Sequence, residues 1–479
     1  MATLPAAANW FCADILAVSR TGWTCWGAKS SLVLAKHNED QYPTVITASE
    51  AHSDKVKVTG VSWCPDEAGA GPERAQLLSA AEDGLAKVWR LDTEKMRLEV
   101  AGQCQTEAGR VTCVSWSPAD PSILMMGGET GGTLTVWDLM TNTTKLITVG
   151  KQQVFSVACH PSQSDLVAVG CKLGQLLLVN TKDSGKIVTR LRGHEEDVYS
   201  LAWSPASTTQ IGETEYSEWM LASSSRDRTV RVWGEREGRT VATLRPQQDK
   251  RVKGEKCWTS VSWPSPDTIL SSGPAGELLS WKLDCPWKKG SPEYKVLSRE
   301  HNRNLFSICV NQDKVFTVGQ ERLVAVTSLS GERLYNIPCF AGFVHCVVSN
   351  PIEPGVLAVG AGDGAVRVWR TGDSGDMFSV KQVQVRQSKV MSLAWHTTRE
   401  GLLAAGTDDG KVIWVDVVSS SRQPSVSSYH HRAGVYCLVW MDNKTLLSCG
   451  DGKLVQHDTN TTKGQELNLG NSGKSQVCA

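Results

Sequence analysis

A two-part tryptophan phrase recurs along this 479-residue chain and constrains its fold more than any other feature. The first part is an apolar–Ser/Ala–Trp pulse such as VSWCP at residues 61–65, and the second is an alternating segment such as AKVWR at residues 86–90. The pair returns as VSWSP with TVWD, LAWSP with RVWG, VSWPS with LLSW, and LAWH with VIWV. Because side chains alternate with a period of two along a strand, each segment predicts a short β-strand.

The second tryptophan of each pair recurs at a regular interval. Three intervals of 48, 48 and 45 residues separate Trp89 from Trp137, Trp233 from Trp281, and Trp369 from Trp414. The two remaining gaps are 96 and 88 residues long, and each holds a Trp-free apolar run near its middle, QLLLVN at 175–180 and LVAVTS at 323–328. A period in the forties built of short strands is typical of WD-type β-propeller blades, each a four-stranded sheet.

The repeat count predicts an all-β WD-repeat β-propeller protein with about ten blades. One seven-bladed ring would occupy residues 1–335, about three blades of an incomplete second propeller residues 336–460, and a disordered tail residues 461–479. Three blades leave an apolar face and a strand edge uncovered. We therefore expect the chain to be a fragment, an incomplete gene model or a shortened isoform.

Composition narrows the possible functions. The chain carries 50 basic and 50 acidic residues, so nucleic-acid binding would depend on local stacking and shape more than on a global positive field. Its 15 cysteines are scattered without a CxxC pair, which favours free thiols over disulfides or zinc. The GNSGKS segment at 470–475 lacks the first glycine of a phosphate-binding loop. We expect no metal, no cofactor and no membrane span.

Four aspartates stand six residues before a repeat tryptophan, a regularity that predicts structural roles. They are Asp83, Asp227, Asp363 and Asp408. With His194 upstream of Asp227 and Trp233, the fifth repeat resembles the His, Ser/Thr, Asp and Trp hydrogen-bonded network of WD repeats. Since a carboxylate that holds a turn and accepts from an imidazole needs no substrate, we predict that the protein is not an enzyme.

Aromatic residues at one register of the first strands form the most suggestive pattern. Four places before the pulse tryptophan, or its equivalent, stand Thr59, Thr112, Phe155, Tyr199, Thr259, Phe306, His345, Met391 and Tyr436. Trp258 and Phe343 lie just before this register, and Lys29, Arg303 and Arg322 supply cations nearby. Any single ring is more simply explained as core filling. A cluster on one rim suits stacked bases and their phosphates.

Several non-repeat segments carry a more specific resemblance. The chain resembles the N-terminal WD-repeat region of the family of the fifth Gemin subunit in the survival-of-motor-neuron complex. The resemblance is carried by NWFC at 9–12, LRGHEEDVYSLAWSP, GDGAVRVW, and GTDDGKV followed by HH-x-x-x-VY. The match runs from residue 9 to about residue 456. It implies a cytoplasmic RNA-binding subunit with a nuclear pool in the nucleoplasm and gems.

The resemblance also implies a substrate and partners. The family recognises precursor small nuclear RNAs through the Sm site and the 7-methylguanosine cap, and delivers them to the survival-of-motor-neuron complex and other Gemins for assembly of the Sm core in mRNA splicing. Ribosome or mRNA binding in translational control is also implied. The alternative is a general WD-repeat scaffold that binds peptides, for which the rim aromatics would form apolar pockets.

The resemblance carries an RNA-binding set over to this chain residue by residue. The set is Asn9, Trp10, Phe11, Lys29, Trp258, Arg303, Phe306, Arg322, Phe343 and Tyr436. Phe11 stands where the family has Tyr, so stacking is kept and a hydroxyl contact is lost. Lys29 stands where the family has Arg, which keeps the charge but loses the planar fork.

Overall fold

Among the residues that the structure describes, seven four-stranded sheets follow one another in the first part of the chain, and three more follow in the second part. The computed structural model describes residues 5–12, 14–38, 41–65, 75–236, 238–246, 258–284, 292–301, 304–321, 323–339, 343–370, 381–385, 388–418 and 424–467. Backbone contacts divide the chain into two units, one Ala7–Ile337 and the other Met1–Ala6 with Pro338–Ala479. The prediction of an all-β protein is confirmed.

The unit Ala7–Ile337 contains sheets 1 to 7, numbered in chain order. Sheet 1 consists of β1 (Leu16–Val18), β2 (Thr24–Ala28), β3 (Ser31–Asn38) and β4 (Gln41–Ala48). Sheet 2 consists of β5 (Val58–Trp63), β6 (Gln76–Ala81), β7 (Leu85–Asp92) and β8 (Arg97–Gln105). Sheet 3 consists of β9 (Val111–Trp116), β10 (Ile123–Gly128), β11 (Thr133–Asp138) and β12 (Thr143–Thr148). Sheets 4 and 5 consist of β13 (Val154–Cys159), β14 (Leu166–Cys171), β15 (Leu176–Asn180), β16 (Lys186–Leu191); β17 (Val198–Trp203), β20 (Met220–Ser225), β21 (Val230–Gly234) and β22 (Thr240–Leu244), with a separate hairpin of β18 (Thr209–Ile211) and β19 (Thr214–Tyr216). Sheets 6 and 7 consist of β23 (Val261–Ser265), β24 (Thr268–Ser272), β25 (Leu278–Lys282), β26 (Tyr294–Ser298); β27 (Leu305–Asn311), β28 (Lys314–Gly319), β29 (Leu323–Ser328) and β30 (Arg333–Pro338). A 3-10 turn, Lys172–Gly174, lies between β14 and β15.

The second unit contains sheets 8 to 10. They consist of β31 (Val344–Ser349), β32 (Val356–Ala361), β33 (Ala365–Arg370), β34 (Lys381–Gln384); β35 (Val390–Trp395), β36 (Leu402–Thr407), β37 (Lys411–Asp416), β38 (Ser425–His430); β39 (Val435–Trp440), β40 (Thr445–Gly450), β41 (Lys453–Asp458) and β42 (Gly464–Leu467). Because β42 pairs with β41 as a fourth strand, the predicted start of a disordered tail at residue 461 is too early. Residues 468–479 lie outside the described residues.

Each sheet is an antiparallel meander whose strands pair in chain order. Burial is greatest in the second strands and lowest in the fourth: the second strand β14 is buried along its whole length, whereas in the fourth strand β12 only Ile147 is buried. This gradient arises because apolar side chains of one sheet pack on the next. One such core joins Leu34 of sheet 1 to Val58 and Leu77 of sheet 2. Each fully buried aliphatic side chain contributes about 1.5–3 kcal/mol.

The first strands of neighbouring sheets contact one another throughout the unit Ala7–Ile337. The contacts run from β1 through β5, β9, β13, β17 and β23 to β27, and β27 in turn contacts β1. Two side chains of β27 bond to the backbone at sheet 1: Cys309 Sγ donates to the Leu16 carbonyl at 2.9 Å, and Asn311 Nδ2 donates to the Ser19 carbonyl at 2.9 Å. The seventh sheet is therefore bonded to the first.

In several repeats the first tryptophan of the phrase links neighbouring sheets, whereas Trp116 Nε1 donates to the Pro121 carbonyl of its own sheet. Trp63 Nε1 donates to the Ala17 carbonyl at 3.3 Å, and Trp203 Nε1 donates to the Ala158 carbonyl at 3.1 Å. The same bond recurs within the second unit, where Trp440 Nε1 reaches the carbonyl of Ala394 at 3.0 Å. Each of these three indoles thus buries its apolar body and satisfies its N–H on the preceding sheet. Among the described residues, no helix reaches the length and apolarity that a membrane crossing requires.

Candidate nucleic-acid interface

The aromatic register picked out in the sequence coincides with a β-bulge in the first strand of most sheets. In sheet 4 the pairing register skips Phe155, and in sheet 5 it skips Tyr199. The same shift occurs at Thr59, Thr112, Phe306, His345, Met391 and Tyr436. A bulged residue leaves the ladder and its side chain is re-aimed. The bulge explains why this position stands out from the alternation around it.

Six rings of the unit Ala7–Ile337 form a continuous series of contacts, here named the aromatic arc. Its ring centroids are separated by 5.5 Å for Phe155–Tyr199, 4.1 Å for Tyr199–Trp258, 5.9 Å for Trp258–Phe306, 5.3 Å for Phe306–Phe11 and 6.4 Å for Phe11–Trp10. All but Tyr199–Trp258 are edge-to-face. The arc thus brings together four of the residues named from the family resemblance.

Phe11 is the ring of the arc that is most open to solvent. It is 50% exposed, whereas Trp258 is 8% exposed and Phe306 is fully buried beneath it. Phe11 also has φ of 58°, a left-handed conformation that is costly for a bulky side chain. The indole N–H of Trp258 donates to the Phe306 carbonyl at 3.1 Å, which fixes the layer under Phe11. Trp258 and Phe306 therefore support the exposed ring.

Asn9 holds the segment that carries the exposed rings. Its side-chain amide donates to the carbonyls of Lys29 at 3.1 Å and Val58 at 2.9 Å, and its Oδ1 accepts from the Lys29 N–H at 2.7 Å. The buried amide is thereby committed to the backbone of sheets 1 and 2. Lys57 Nζ donates to the Trp10 carbonyl at 2.5 Å and braces the next residue.

The cations named in the sequence fall partly within the described residues. Lys29 is exposed in the turn between β2 and β3, with φ of 52°. Arg303 and Arg322 lie outside the described residues. Beside Arg303, Asn304 Oδ1 accepts from the Trp258 backbone N–H at 3.2 Å, so this connection contacts the arc.

Tyr199 closes the far face of Trp258 and contacts an acidic turn. Burial, together with the charge of Asp197, raises the pKa of the Tyr199 phenol to about 12. The ring is therefore uncharged at neutral pH. Asp197 also accepts from the backbone N–H of Leu173 at 3.0 Å and so joins the turns of sheets 4 and 5.

Phe343 and Tyr436 belong to the second unit and are exposed there. Phe343 is 85% exposed immediately before β31, and Tyr436 is 59% exposed at the bulge of β39. The Phe343 carbonyl accepts from the N–H of Gly362 at 2.9 Å, which holds its backbone against the β32–β33 turn.

The predicted four-residue network is present in sheet 5. His194 Nδ1 lies 2.8 Å from Asp227 Oδ2, and its Nε2 lies 2.8 Å from Ser223 Oγ, which accepts the Trp233 indole N–H at 2.8 Å. Burial opposes ionisation of Asp227, but the hydrogen bond and charge of His194 outweigh it and lower the pKa of this carboxyl. This network joins the sheet end and its turn.

The other three predicted aspartates differ from Asp227. Asp83 Oδ1 accepts from the Leu85 N–H at 3.0 Å and holds the β6–β7 turn. Asp363 Oδ2 lies 2.6 Å from the guanidinium of the buried Arg367. Asp408 Oδ1 accepts the Lys389 N–H at 2.9 Å. A six-residue spacing to Trp thus corresponds to a turn residue in each case, with a partner that varies.

The described residues include further histidine–serine or histidine–carboxylate networks, in sheets 2, 7 and 10, that were not predicted from the sequence. His52 Nε2 lies 2.8 Å from Ser79 Oγ, which accepts the Trp89 indole N–H. His301 pairs with Glu321 at 3.1 Å in sheet 7.

In sheet 10 the imidazole of His457 contacts the network serine, as the indole of Trp233 does in sheet 5. His431 Nε2 lies 2.8 Å from Ser448 Oγ, and Ser448 Oγ lies 2.6 Å from His457 Nε2. A search for His at a fixed distance before the repeat Asp or Glu would have found His301 and His431.

A cavity of about 480 Å³ lies among the first strands of sheets 1 to 7. Asp14 borders it, and its Oδ2 accepts from the Val114 N–H of sheet 3 at 3.0 Å. Desolvation of this carboxyl by the surrounding protein raises its pKa to about 7. Within the described part of the chain, no group of His, Cys, Asp and Glu has an arrangement that could hold a metal ion.

Comparison with known families identifies WD repeats in both units. The family model "WD domain, G-beta repeat" matches residues 44–90 and 185–234, and the model "Anaphase-promoting complex subunit 4 WD40 domain" matches residues 353–443. A chain in a crystal structure of the mitotic checkpoint complex superposes with a TM-score of 0.53 at 15% identity, covering 68% of this chain and 90% of that chain. That likeness concerns the fold alone.

The similarity in sequence to other proteins is more specific than the likeness of fold. Gem-associated protein 5 of Homo sapiens is 28% identical over 98% of this chain, and that of Mus musculus is 28% identical over 98%. Component of gems protein 5 of Dictyostelium discoideum is 22% identical over 91%. The chain spans 34% of the length of the two mammalian relatives and 42% of that of the third. The resemblance stated from the sequence is confirmed: this chain is an all-β WD40-repeat protein similar along almost its whole length to Gem-associated protein 5.

Proposed function

We propose that residues 7–337 form a closed seven-bladed β-propeller that binds single-stranded RNA on its aromatic arc. The observation that carries this proposal is the ring of Phe11, which is half-exposed in a strained backbone conformation on a buried layer of Trp258 and Phe306. Closure is supported by the bonds from Cys309 and Asn311 to sheet 1.

A base that stacks on Phe11 would meet a preorganised platform. Each base–aromatic stack contributes about 1–3 kcal/mol, and every base has a face that can stack. Trp10 extends the platform, and Lys29, whose backbone is bonded to Asn9, is a proposed phosphate contact. In this proposal Asn9, Trp258 and Phe306 position the platform, because their amide and rings are engaged within the protein. With zero net charge, stacking supplies most of the affinity.

The similarity to Gem-associated protein 5 directs the proposal to precursor small nuclear RNA. We infer that the chain recognises the Sm site and the 7-methylguanosine cap, and delivers the RNA to the survival-of-motor-neuron complex in the cytoplasm, with a nuclear pool. Phe343 and Tyr436 would add rings from a partial second propeller at residues 336–460. Arg303 and Arg322 complete the proposed RNA-binding set. The function proposed is binding and not catalysis.

Fluorescence polarisation with a capped, uridine-rich RNA tests the proposal. Phe11→Ala should weaken binding by at least about fivefold, since one stack is removed, whereas Phe11→Tyr should bind as the wild type does. Trp258→Ala should also weaken binding, with circular dichroism to establish that the variant is folded.

Equal affinity of Phe11→Ala and wild type would overturn the RNA site. An interaction set that survives RNase unchanged would then favour the peptide scaffold.

A further inference from the structure

Sheet 4 contains an aromatic side chain and two lysines that are not part of the proposed RNA-binding set. Phe155 is the bulged residue of β13 and lies half-buried at the end of the aromatic arc, with its edge against Tyr199. With Phe11 and Trp10 at the opposite end, it is one of three rings of the arc that retain access to solvent.

Two exposed lysines flank Phe155 on the same sheet. Lys151 precedes β13 by three residues, and Lys172 begins the β14–β15 turn. The backbone N–H of Lys172 donates to the Gln153 carbonyl at 2.9 Å, which fixes that turn beside the residues leading to Phe155. Leu173, with φ of 58°, is the middle residue of the turn, and its backbone N–H donates to Asp197.

The arginines of the neighbouring sheets are differently placed. Arg110 of sheet 3 forms an ion pair of 2.6 Å with Glu82, and Arg226 of sheet 5 lies 4.0 Å from both Glu196 and Asp197. Because these guanidinium groups face carboxylates, a phosphate on either sheet would have to compete with an acidic side chain. Among the described residues neither Lys151 nor Lys172 forms an ion pair, and the Asp197 carboxylate at this turn accepts from the N–H of Leu173.

We propose that Phe155, Lys151 and Lys172 form a second nucleotide subsite, which holds a base by stacking and its phosphates by the two ammonium groups. This inference rests on the proposed function, because the same RNA strand occupies both ends of the arc. Trp258 and Tyr199 lie between Phe11 and Phe155 as a buried layer, so the strand passes over them. Contact with Phe155 requires an RNA long enough to span that distance.

Binding of two oligouridines, about three and about nine nucleotides long, distinguishes the two ends of the arc. Phe155→Leu, which keeps an apolar side chain in the bulge, should weaken binding of the longer RNA by at least about fivefold and leave the shorter RNA unaffected. Phe155→Tyr is the matched control and should bind both RNAs as the wild type does. Phe11→Ala should weaken both.

The lysines are tested by salt dependence. Lys151→Gln with Lys172→Gln should reduce the slope of log affinity against log salt by about 1.4 for the longer RNA, since each phosphate contact on a single strand accounts for about 0.7. Lys182→Gln with Lys186→Gln, near the β15–β16 turn at the other end of the same sheet, removes equal charge and should leave the slope nearly unchanged.

A Phe155→Leu variant that binds both RNAs as tightly as wild type, while Phe11→Ala weakens both, would overturn this subsite and leave the proposed function intact. Failure of the wild-type protein to bind either RNA would overturn both proposals.

Discussion

Tyr199 and Trp258 stack face to face, with ring centroids 4.1 Å apart and planes 8° from parallel. The two residues come from adjacent sheets, and the phenol covers one face of the indole. The indole also meets Phe306 and Phe11 edge to face. Trp258 is therefore the centre of the aromatic arc, and a ligand reaches it only over its neighbours.

We predict that Tyr199→Ala unfolds at lower denaturant concentration than wild type. Removing a buried aromatic ring costs about 3–5 kcal/mol, part of it from the cavity that is left. The stack on Trp258 is lost together with the contact to Phe155. Tyr199→Phe keeps both ring contacts and should lose no more than about 1–2 kcal/mol for the hydroxyl. Urea unfolding of the two variants measures this, and equal midpoints for Ala and Phe would contradict it.

Asn9→Ala should release the segment that carries Trp10 and Phe11. Its amide makes three bonds to Lys29 and Val58, and leaving buried partners unsatisfied costs about 1–3 kcal/mol. We expect faster hydrogen exchange at the Lys29 amide and weaker RNA binding, although the side chain itself is turned inwards. Unchanged exchange at Lys29 would show that other contacts hold the segment.

Asp227→Asn and Asp408→Asn should differ in stability although their sequence spacing to Trp is the same. Asp227 joins His194 in a buried network, so its loss should lower the unfolding free energy by about 1–3 kcal/mol. Asp408 is bonded to one backbone N–H and to an exposed lysine 3.9 Å away, and Asn can still accept that backbone bond. Its replacement should cost less than about 1 kcal/mol. Chemical denaturation of both variants decides between this ranking and equal costs.

Asp14 should make the protein less stable as the pH rises from about 4 to about 7. Its pKa of about 7 in the native state lies above its ordinary value, so the folded chain binds the proton more tightly than the unfolded chain does. The unfolding free energy falls across that interval as the carboxyl ionises. Asp14→Asn can still accept the Val114 N–H and should flatten this dependence. A pH profile as steep as that of wild type would exclude Asp14 as its source.

His457 should cause the opposite dependence in the second unit. Burial and the nearby His431 lower the pKa of His457 to about 4, so the unfolded chain takes up a proton first as the pH falls below about 6.5. Stability present at pH 7 is lost between about 6.5 and 4. His457→Trp cannot be protonated there, and its indole can donate to Ser448 as Trp233 donates to Ser223.

Hydrogen exchange in β39–β42 as a function of pH tests this prediction. His430→Gln, at an exposed neighbouring histidine, is the control. Acid destabilisation of equal size in wild type and His457→Trp would exclude His457 as its source.

The repeated tryptophan phrase was sufficient to predict four-stranded sheets, because strand alternation and a period in the forties are local properties of a sequence. It also separated the residues of the turns from those of possible function. The sequence did not predict which residues of the proposed RNA-binding set are buried supports and which are exposed. Nothing in NWFC shows that the Asn9 amide is bonded to sheets 1 and 2 or that Phe306 is fully buried.

The sequence alone determined the fold class, the repeat and the likeness to Gem-associated protein 5, since periodicity and segment identity are written in residue order. The tertiary structure decided which rings meet. Contacts across sheets join residues as distant as Phe11 and Phe306, and β-bulges re-aim one residue of most first strands. Exposure follows from these contacts, because a ring is covered or left open by side chains far away in the chain. It is this packing that leaves Phe11 open above Trp258.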